Sequence, residues 1–154
     1  MHSRETLIHF MEEKIPFNRL LGMKVDHMDV GEVIIRIPCN NDLTGDPFRP
    51  AIHGGVISTL ADTAGGLAVF TKIQNDQTTS TVDLRVDYLR PGETSLDLRA
   101  KSHVIRLGNR VAATQTVVYQ DTIERPVAVA SAVYNVISIK EARPHISSTS
   151  EDEA

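Results

Sequence analysis

The sequence predicts an α+β fold in which an antiparallel sheet packs against one long helix. Two strand-like segments come before a long apolar segment at Val56–Thr71, and four more strand-like segments follow it. Runs of strands interrupted by a single helix are typical of α+β proteins. The connections after Leu89 are of hairpin length, and connections that short favour antiparallel pairing.

A short amphipathic helix is predicted at the N-terminus. Ser3 suits the N-cap position, and apolar residues then recur at helical spacing, at Leu7, Phe10, Met11 and Ile15. Pro16 marks the predicted end of this helix, because the residue before a proline is pushed away from the α region.

Six segments rich in β-branched residues, with partial period-two alternation, are the predicted strands. They span Met23–Met28, Val33–Cys39, Thr79–Leu89, Ser95–Ile105, Val111–Gln120 and Val127–Ile139. In the third strand the alternation predicts an apolar face made of Val82, Leu84, Val86 and Tyr88. It places Thr81 on the opposite, polar face, together with Asp83, Arg85 and Asp87.

The length of 154 residues suits one domain. We assign residues 1–140 to a single domain and residues 141–154 to a polar tail, because Ser, Thr and acidic residues dominate the last nine positions. The segment Met1–Glu13 lacks the apolar run of a signal peptide. No stretch approaches the ~18 apolar residues of a membrane span, so no membrane insertion is expected.

Composition argues against several classes of function. A net charge of −4 and the lack of tryptophan disfavour nucleic-acid binding. Cys39 is the only cysteine, so no intrachain disulfide can form, and we expect a reducing compartment, the cytoplasm. No group of His, Cys or acidic residues has metal-ligand spacing, so neither a metal nor a separate cofactor is expected.

Asp62 is the only charged residue in the segment Val56–Thr71. The segment is apolar on every side, which is typical of a buried helix, and an unpaired buried carboxylate costs several kcal/mol. Asp62 therefore either faces a water-filled edge or bonds a backbone amide, or it performs chemistry. Gly65 and Gly66 each cost about 1 kcal/mol relative to alanine in a helix. They predict that another part of the chain approaches the helix closely there.

The tripeptide His53-Gly54-Gly55 comes directly before this helix. The first amides of a helix have no intrahelical partner and lie at the positive end of its dipole, where a carbonyl oxygen that gains negative charge would be stabilised. The alternative is a glycine turn that only starts the helix. A glycine pair followed by one acid in an apolar helix favours the catalytic interpretation.

The run from His53 to Ala64 resembles the signature of hotdog-fold acyl-CoA thioesterases, and most of all their phenylacetic-acid-degradation subgroup. The segments Thr81–Pro91 and Arg106–Arg110 are similar to the strand and hairpin that follow in that family. The resemblance spans about Phe17 to Ile139. It implies a hotdog fold, in which an antiparallel sheet wraps around the central helix.

The resemblance also implies how such a site works. It implies a homodimer, often paired into a tetramer, whose sites take the glycine amide from one subunit and the acid from the other. Gly54 would polarise the thioester carbonyl, Asp62 would activate water or attack directly, and Thr81 would orient the water. The thiol end of coenzyme A would lie near His53, Gly54 and Gly55. Coenzyme A is expected only as part of the substrate.

Three arginines at predicted strand ends are candidates for binding the phosphates of coenzyme A: Arg90, Arg106 and Arg110. Arginine forms forked contacts with phosphate oxygens, although arginines at strand ends are also often simply solvated.

Two other functions suit the same pattern: an acyl-CoA hydratase or dehydratase of the same fold, and a non-catalytic acyl-CoA-binding module. Activity on an enoyl-CoA without thiol release would favour the first. Tight acyl-CoA binding without turnover would favour the second.

Overall fold

The computed structural model describes residues 3–142. It contains a six-stranded sheet, one long helix and several short helical segments. Of the predicted C-terminal tail, only residues 141 and 142 lie within the described range, where they end a short helix, α4 (Ile139–Ala142). The rest of that prediction falls outside the described residues. No helix among residues 3–142 is long and apolar enough to cross a membrane.

The N-terminal segment differs from the single helix that the sequence predicts. It consists of α1 (Arg4–His9), a π-helical turn (Phe10–Lys14) and α2 (Pro16–Leu20). The Ser3 hydroxyl accepts a hydrogen bond from the Thr6 N–H, which confirms the predicted cap. Ile15 is extended, so Pro16 does end the first helical run. It also begins α2, because a proline fits the first position of a helix.

The sheet has the strand order β1-β2-β4-β5-β6-β3, and every neighbouring pair is antiparallel. Its strands are β1 (Lys24–Asp29), β2 (Glu32–Ile37), β3 (Gln77–Tyr88), β4 (Leu98–Leu107), β5 (Val111–Tyr119) and β6 (Ala128–Ser138). All six predicted strands are present, with ends that shift by up to three residues. The sequence prediction of an antiparallel sheet is confirmed.

The central helix α3 (Gly54–Phe70) packs against strands β2 to β6, so the sheet curves around it. Its buried residues include Leu60, Ala64 and Leu67, which are at most 1% exposed. They lie in one core cluster with sheet residues such as Ile35 and Val118. This is the predicted arrangement of one buried helix in an antiparallel sheet.

Gly65 lies where the sheet comes closest to α3. A Cβ atom added at Gly65 would collide with the Tyr134 hydroxyl of β6 and lie 2.9 Å from Thr114 Oγ1 of β5. The predicted close approach is therefore confirmed at Gly65. At Gly66 an added Cβ would make only an ordinary contact, at 3.6 Å from the Tyr134 ring, so the prediction is wrong there.

Strand β3 contains a β-bulge that the alternation pattern does not reveal. Thr81 pairs with Tyr134 and Asp83 pairs with Val133, so Val82 is an extra residue. A bulge of one residue switches the face on which the following side chains lie. Thr81 therefore shares the helix-facing side with Leu84, and its predicted place beside Asp83 is wrong. Val82, predicted on the apolar face, is 65% exposed.

Candidate active site

Asp62 lies on the side of α3 that faces β3, and it is half-buried. Its Oδ1 accepts a 2.8 Å hydrogen bond from Thr81 Oγ1, and the Tyr134 hydroxyl lies 3.3 Å from the same oxygen. Asp62 Oδ2 has no hydrogen-bond partner among residues 3–142. The carboxylate thus has one oxygen held by two hydroxyl groups and one oxygen free to meet a ligand or water.

Tyr134 is the part of the site that sequence reasoning missed. It lies on β6, is only 1% exposed, and donates a 2.8 Å hydrogen bond to the main-chain oxygen of Asp62. Burial raises the pKa of its hydroxyl well above the ordinary value, and the Asp62 carboxylate raises it further, so the group stays protonated at neutral pH. A buried tyrosine hydroxyl needs a partner, and Gly65 leaves room for this one.

A pocket of about 200 Å³ opens beside the Asp62 carboxylate. Hydroxyl-bearing residues of β3 line it together with Asp62: Thr79, Ser80 and Thr81. Apolar residues come from the N-terminal segment and from α3: Phe10, Met11, Ile15, Leu67 and Phe70. Asn18, Thr63 and Tyr134 add further polar groups. A concave pocket lined by apolar side chains and placed polar groups is typical of a small-molecule site.

The start of α3 offers one free amide. His53 is the N-cap, and its Nδ1 accepts a 2.8 Å hydrogen bond from the Gly55 N–H. The Gly55 amide is thereby occupied, whereas the Gly54 N–H has no acceptor within residues 3–142. The Gly54 carbonyl accepts a 3.0 Å bond from the Tyr88 hydroxyl, which fixes this turn against β3. Gly54 is therefore the amide best placed to polarise a bound carbonyl.

Within one chain, the Gly54 amide and the Asp62 carboxylate are far apart. They are separated by eight residues of the same helix. At 1.5 Å per residue this corresponds to about 12 Å along the helix axis. A single thioester carbonyl cannot contact both groups of one chain.

The three candidate arginines fall into two environments. Arg106 and Arg110 lie on either side of the β4–β5 turn and line one cavity of about 370 Å³. Both are exposed and form no ion pair or side-chain hydrogen bond within the described chain. Arg90 instead donates to the carbonyl oxygens of Pro126 and Arg125, at 3.2 and 2.7 Å, and so holds the turn before β6.

No group of three or more His, Cys, Asp or Glu residues with metal-site geometry occurs in the range 3–142. The groups described above are one carboxylate with two hydroxyl groups beside it and, farther along the helix, the N-terminus of α3.

The family model of the thioesterase superfamily matches residues 50–127, which include the start of α3, Asp62 and Thr81. The protein VNG_1336C of Halobacterium salinarum is 40% identical to the chain over 62% of the chain and 64% of that protein. The chain thus spans slightly less than two thirds of that relative. The medium/long-chain acyl-CoA thioesterase YigI of Escherichia coli is 32% identical over 79% of the chain and 86% of its own length.

The fold also matches solved structures. The phenylacetic acid degradation protein PaaI of Thermus thermophilus, in a mutant form, superimposes with a TM-score of 0.69 at 28% identity, over 78% of this chain and 97% of that one. The predicted hotdog fold and the predicted enzyme class, a thioester hydrolase, are confirmed. From the match of the family model and the identity to YigI, the chain belongs to the thioesterase superfamily.

Proposed function

We propose that this protein hydrolyses an acyl-CoA thioester to the free acid and coenzyme A, with Asp62 as the catalytic carboxylate. The observation that carries the proposal is the half-buried carboxylate of Asp62, held by the Thr81 hydroxyl at 2.8 Å, in the wall of a pocket that also contains Met11, Ile15, Leu67 and Phe70. The apolar side chains suit an acyl chain, and the carboxylate is proposed to act on the thioester carbon of that chain.

The chemistry needs a polarised carbonyl and a nucleophile. The Gly54 N–H, at the positive end of the α3 dipole, stabilises the negative charge on the carbonyl oxygen as the tetrahedral intermediate forms. Asp62 Oδ2 either takes a proton from the attacking water or attacks the carbonyl carbon itself. When water attacks, the carbon–sulfur bond breaks, the acid is released, and the proton held by Asp62 passes to the thiolate of coenzyme A. When Asp62 attacks, the same bond breaks to leave an acyl anhydride on Asp62, the thiolate takes up a proton from water, and a second water then hydrolyses the anhydride to release the acid and restore the carboxylate.

The assembly we propose is a homodimer, or a pair of such dimers, with shared sites. The separation of about 12 Å between Gly54 and Asp62 along the helix axis supports this assembly, because one thioester carbonyl cannot contact both groups of one chain. Strand β3 carries Thr81 and lies at one end of the sheet, so its outer edge has no partner strand among residues 3–142. A long open edge strand is a natural surface for a second copy.

Coenzyme A is proposed to bind with its thiol end beside His53, Gly54 and Gly55. Arg106 and Arg110 would hold its phosphates, because both residues line one cavity and their side chains form no ion pair or hydrogen bond within the described chain. A medium-length aliphatic acyl group suits Met11, Ile15 and Leu67 in the pocket wall. YigI, a relative of this chain, is named as a thioesterase of medium- and long-chain acyl-CoA. Membership of the phenylacetic-acid-degradation subgroup would instead favour an aryl group.

A thiol-release screen tests the proposal. The purified protein is incubated with short, medium, long and aryl acyl-CoA thioesters, and free coenzyme A is measured. We expect turnover with at least one class, fastest with medium-length chains. Hydration of an enoyl-CoA without thiol release, or tight binding of every thioester without turnover, would contradict it.

We also propose a cytoplasmic location, based on the single cysteine.

A further inference from the structure

Two hydroxyl groups converge on one oxygen of Asp62. Thr81 approaches Oδ1 from β3 at 2.8 Å, and Tyr134 approaches the same atom from β6 at 3.3 Å. The single hydrogen of the Tyr134 hydroxyl is shared between this oxygen and the main-chain oxygen of Asp62, which lies closer, at 2.8 Å. One tyrosine therefore contacts both the backbone and the side chain of the candidate catalytic residue, while Oδ2 is left without a partner in the described chain.

The position of the Tyr134 hydroxyl is closely determined. The ring is 1% exposed and belongs to a core cluster with Val69 and Val136, so it has little freedom to move. Gly65 provides the space for the hydroxyl, since any Cβ at that position would collide with it. Thr114 Oγ1 is buried beside the same space. The acceptors within hydrogen-bond distance of the hydroxyl are the main-chain oxygen of Asp62, at 2.8 Å, and Asp62 Oδ1, at 3.3 Å.

We infer that Tyr134 is a positioning residue that acts through Asp62: its hydroxyl, in a space kept open by Gly65, turns Oδ1 toward the sheet and leaves Oδ2 as the reacting oxygen. Without this bond Oδ1 would be held by the Thr81 hydroxyl alone, and the carboxylate would be less well fixed about its side-chain torsions. A displacement of about 1 Å in a catalytic group can lower the rate about 100-fold. The inference rests on the proposed function, because it assumes that Asp62 reacts.

The main test is Tyr134→Phe, which removes only the hydroxyl. We expect kcat to fall about 10-fold, the rate equivalent of one hydrogen bond to a charged group, with KM nearly unchanged. Tyr119→Phe is the matched control: it removes the same group from β5, and the Tyr119 hydroxyl has no hydrogen bond to any described residue. Its kcat should equal that of the wild type.

A second pair of variants separates position from stability. Gly65→Ala should displace the hydroxyl and lower both kcat and the melting temperature, because the new methyl group collides with it. Adding Tyr134→Phe to Gly65→Ala removes the most severe collision, with the hydroxyl, although Thr114 Oγ1 and Tyr134 Cζ still lie 2.9 Å from the new methyl group. The melting temperature should therefore recover in part while kcat stays low. Recovery of kcat together with the melting temperature would overturn the inference, since a residue needed only for packing would behave in that way.

A double-mutant cycle shows whether Tyr134 acts through Asp62. In an Asp62→Asn background, Tyr134→Phe should cause no further loss of the residual rate. An additional 10-fold loss in that background, or a Tyr134→Phe protein with the kcat of the wild type, would overturn the inference. Failure of the proposed function looks different: the wild-type protein would release no thiol, or Asp62→Asn would retain full activity.

Discussion

The Thr81 hydroxyl donates a 2.8 Å hydrogen bond to Asp62 Oδ1, and this bond joins β3 to α3 at the candidate active site. The bond depends on the bulge at Val82. The bulge places Thr81 on the same side of the sheet as Leu84, whereas regular alternation would turn it outward with Asp83. An irregularity of one residue in a strand therefore completes the surroundings of the carboxylate.

Replacing Thr81 with valine tests the role of this bond. Thr81→Val keeps the shape of the side chain and removes the donor, so we expect kcat to fall about 10-fold while KM changes little. Thr81→Ser keeps the hydroxyl and should retain most of the activity. Steady-state kinetics on both variants give the answer, and equal rates for serine and valine at this position would contradict the assigned role.

The shared site can be tested by mixing two inactive variants. Asp62→Asn removes the acid. Gly54→Pro removes the one amide hydrogen while suiting the first helical position, because His53 is extended. Each variant alone should be slower by ~100-fold or more, and Gly54→Ala, which keeps the N–H, should remain active.

Refolding the two variants together should restore about a quarter of wild-type activity. Half of the randomly formed dimers contain both chains, and one of the two sites in such a dimer is intact. Two inactive chains that stay inactive after mixing would show that each site lies within one chain. Sedimentation of the mixture confirms that dimers have formed.

The two free arginines should govern affinity for coenzyme A. We expect the double variant Arg106→Ala/Arg110→Ala to raise KM for acyl-CoA about 10-fold at unchanged kcat, because phosphate contacts do not change during the reaction. The matched control is an acyl-pantetheine thioester, which lacks the nucleotide and should show the same KM with both proteins. A fall in kcat without a rise in KM would contradict this placement.

Arg90→Ala should mainly lower the melting temperature, since it breaks two hydrogen bonds to the turn at Arg125–Pro126.

The N-terminal segment is attached to β1 by Glu12, which accepts bonds from the Val25 N–H at 2.9 Å and from Lys24 Nζ at 2.8 Å. Burial alone would raise the pKa of the Glu12 carboxyl, but these bonds outweigh it, so the pKa lies below its ordinary value. A carboxyl group whose pKa is lowered in the folded state stabilises the protein at every pH above its pKa in the unfolded state, which is about 4.3. This contribution is lost as the pH falls through the lower pKa of the folded state.

Glu12→Gln should therefore lower the melting temperature at pH 7 and flatten its decline between about pH 5 and 3. Melting curves over that range provide the measurement. Glu13→Gln is the control, because Glu13 approaches Lys24 only at 3.6 Å and accepts no backbone hydrogen bond. An equal decline in the wild type and in Glu12→Gln would contradict the assignment.

The local pattern of residue types along the sequence was sufficient to predict the sheet and the central helix. β-branched alternation identified all six strands, and the long apolar segment after His53-Gly54-Gly55 identified α3. The catalytic role of Asp62 stays a prediction. Both signals come from residues adjacent in sequence. Gly65 also gave a correct indication of close packing, although the residue that fills the space could not be named from sequence.

The parts that escaped prediction depend on contacts between distant segments. The bulge at Val82 has no glycine to mark it, and valine is a good strand residue, so only the pairing with β6 reveals it. Tyr134 looks like an ordinary core residue in an apolar strand until α3 is placed against it. Pro16 was interpreted as a helix end, but the same residue also starts α2.

Kinetics and melting of Asp62→Asn, measured on one sample, test the central claim most directly. The substitution keeps the size and the hydrogen bonding of the side chain but removes its charge and basicity. We predict that kcat for thioester hydrolysis falls by ~100-fold or more. The melting temperature should hold or rise, because a partly buried charge has been removed. A folded Asp62→Asn protein with unimpaired kcat on a good acyl-CoA substrate would contradict the account.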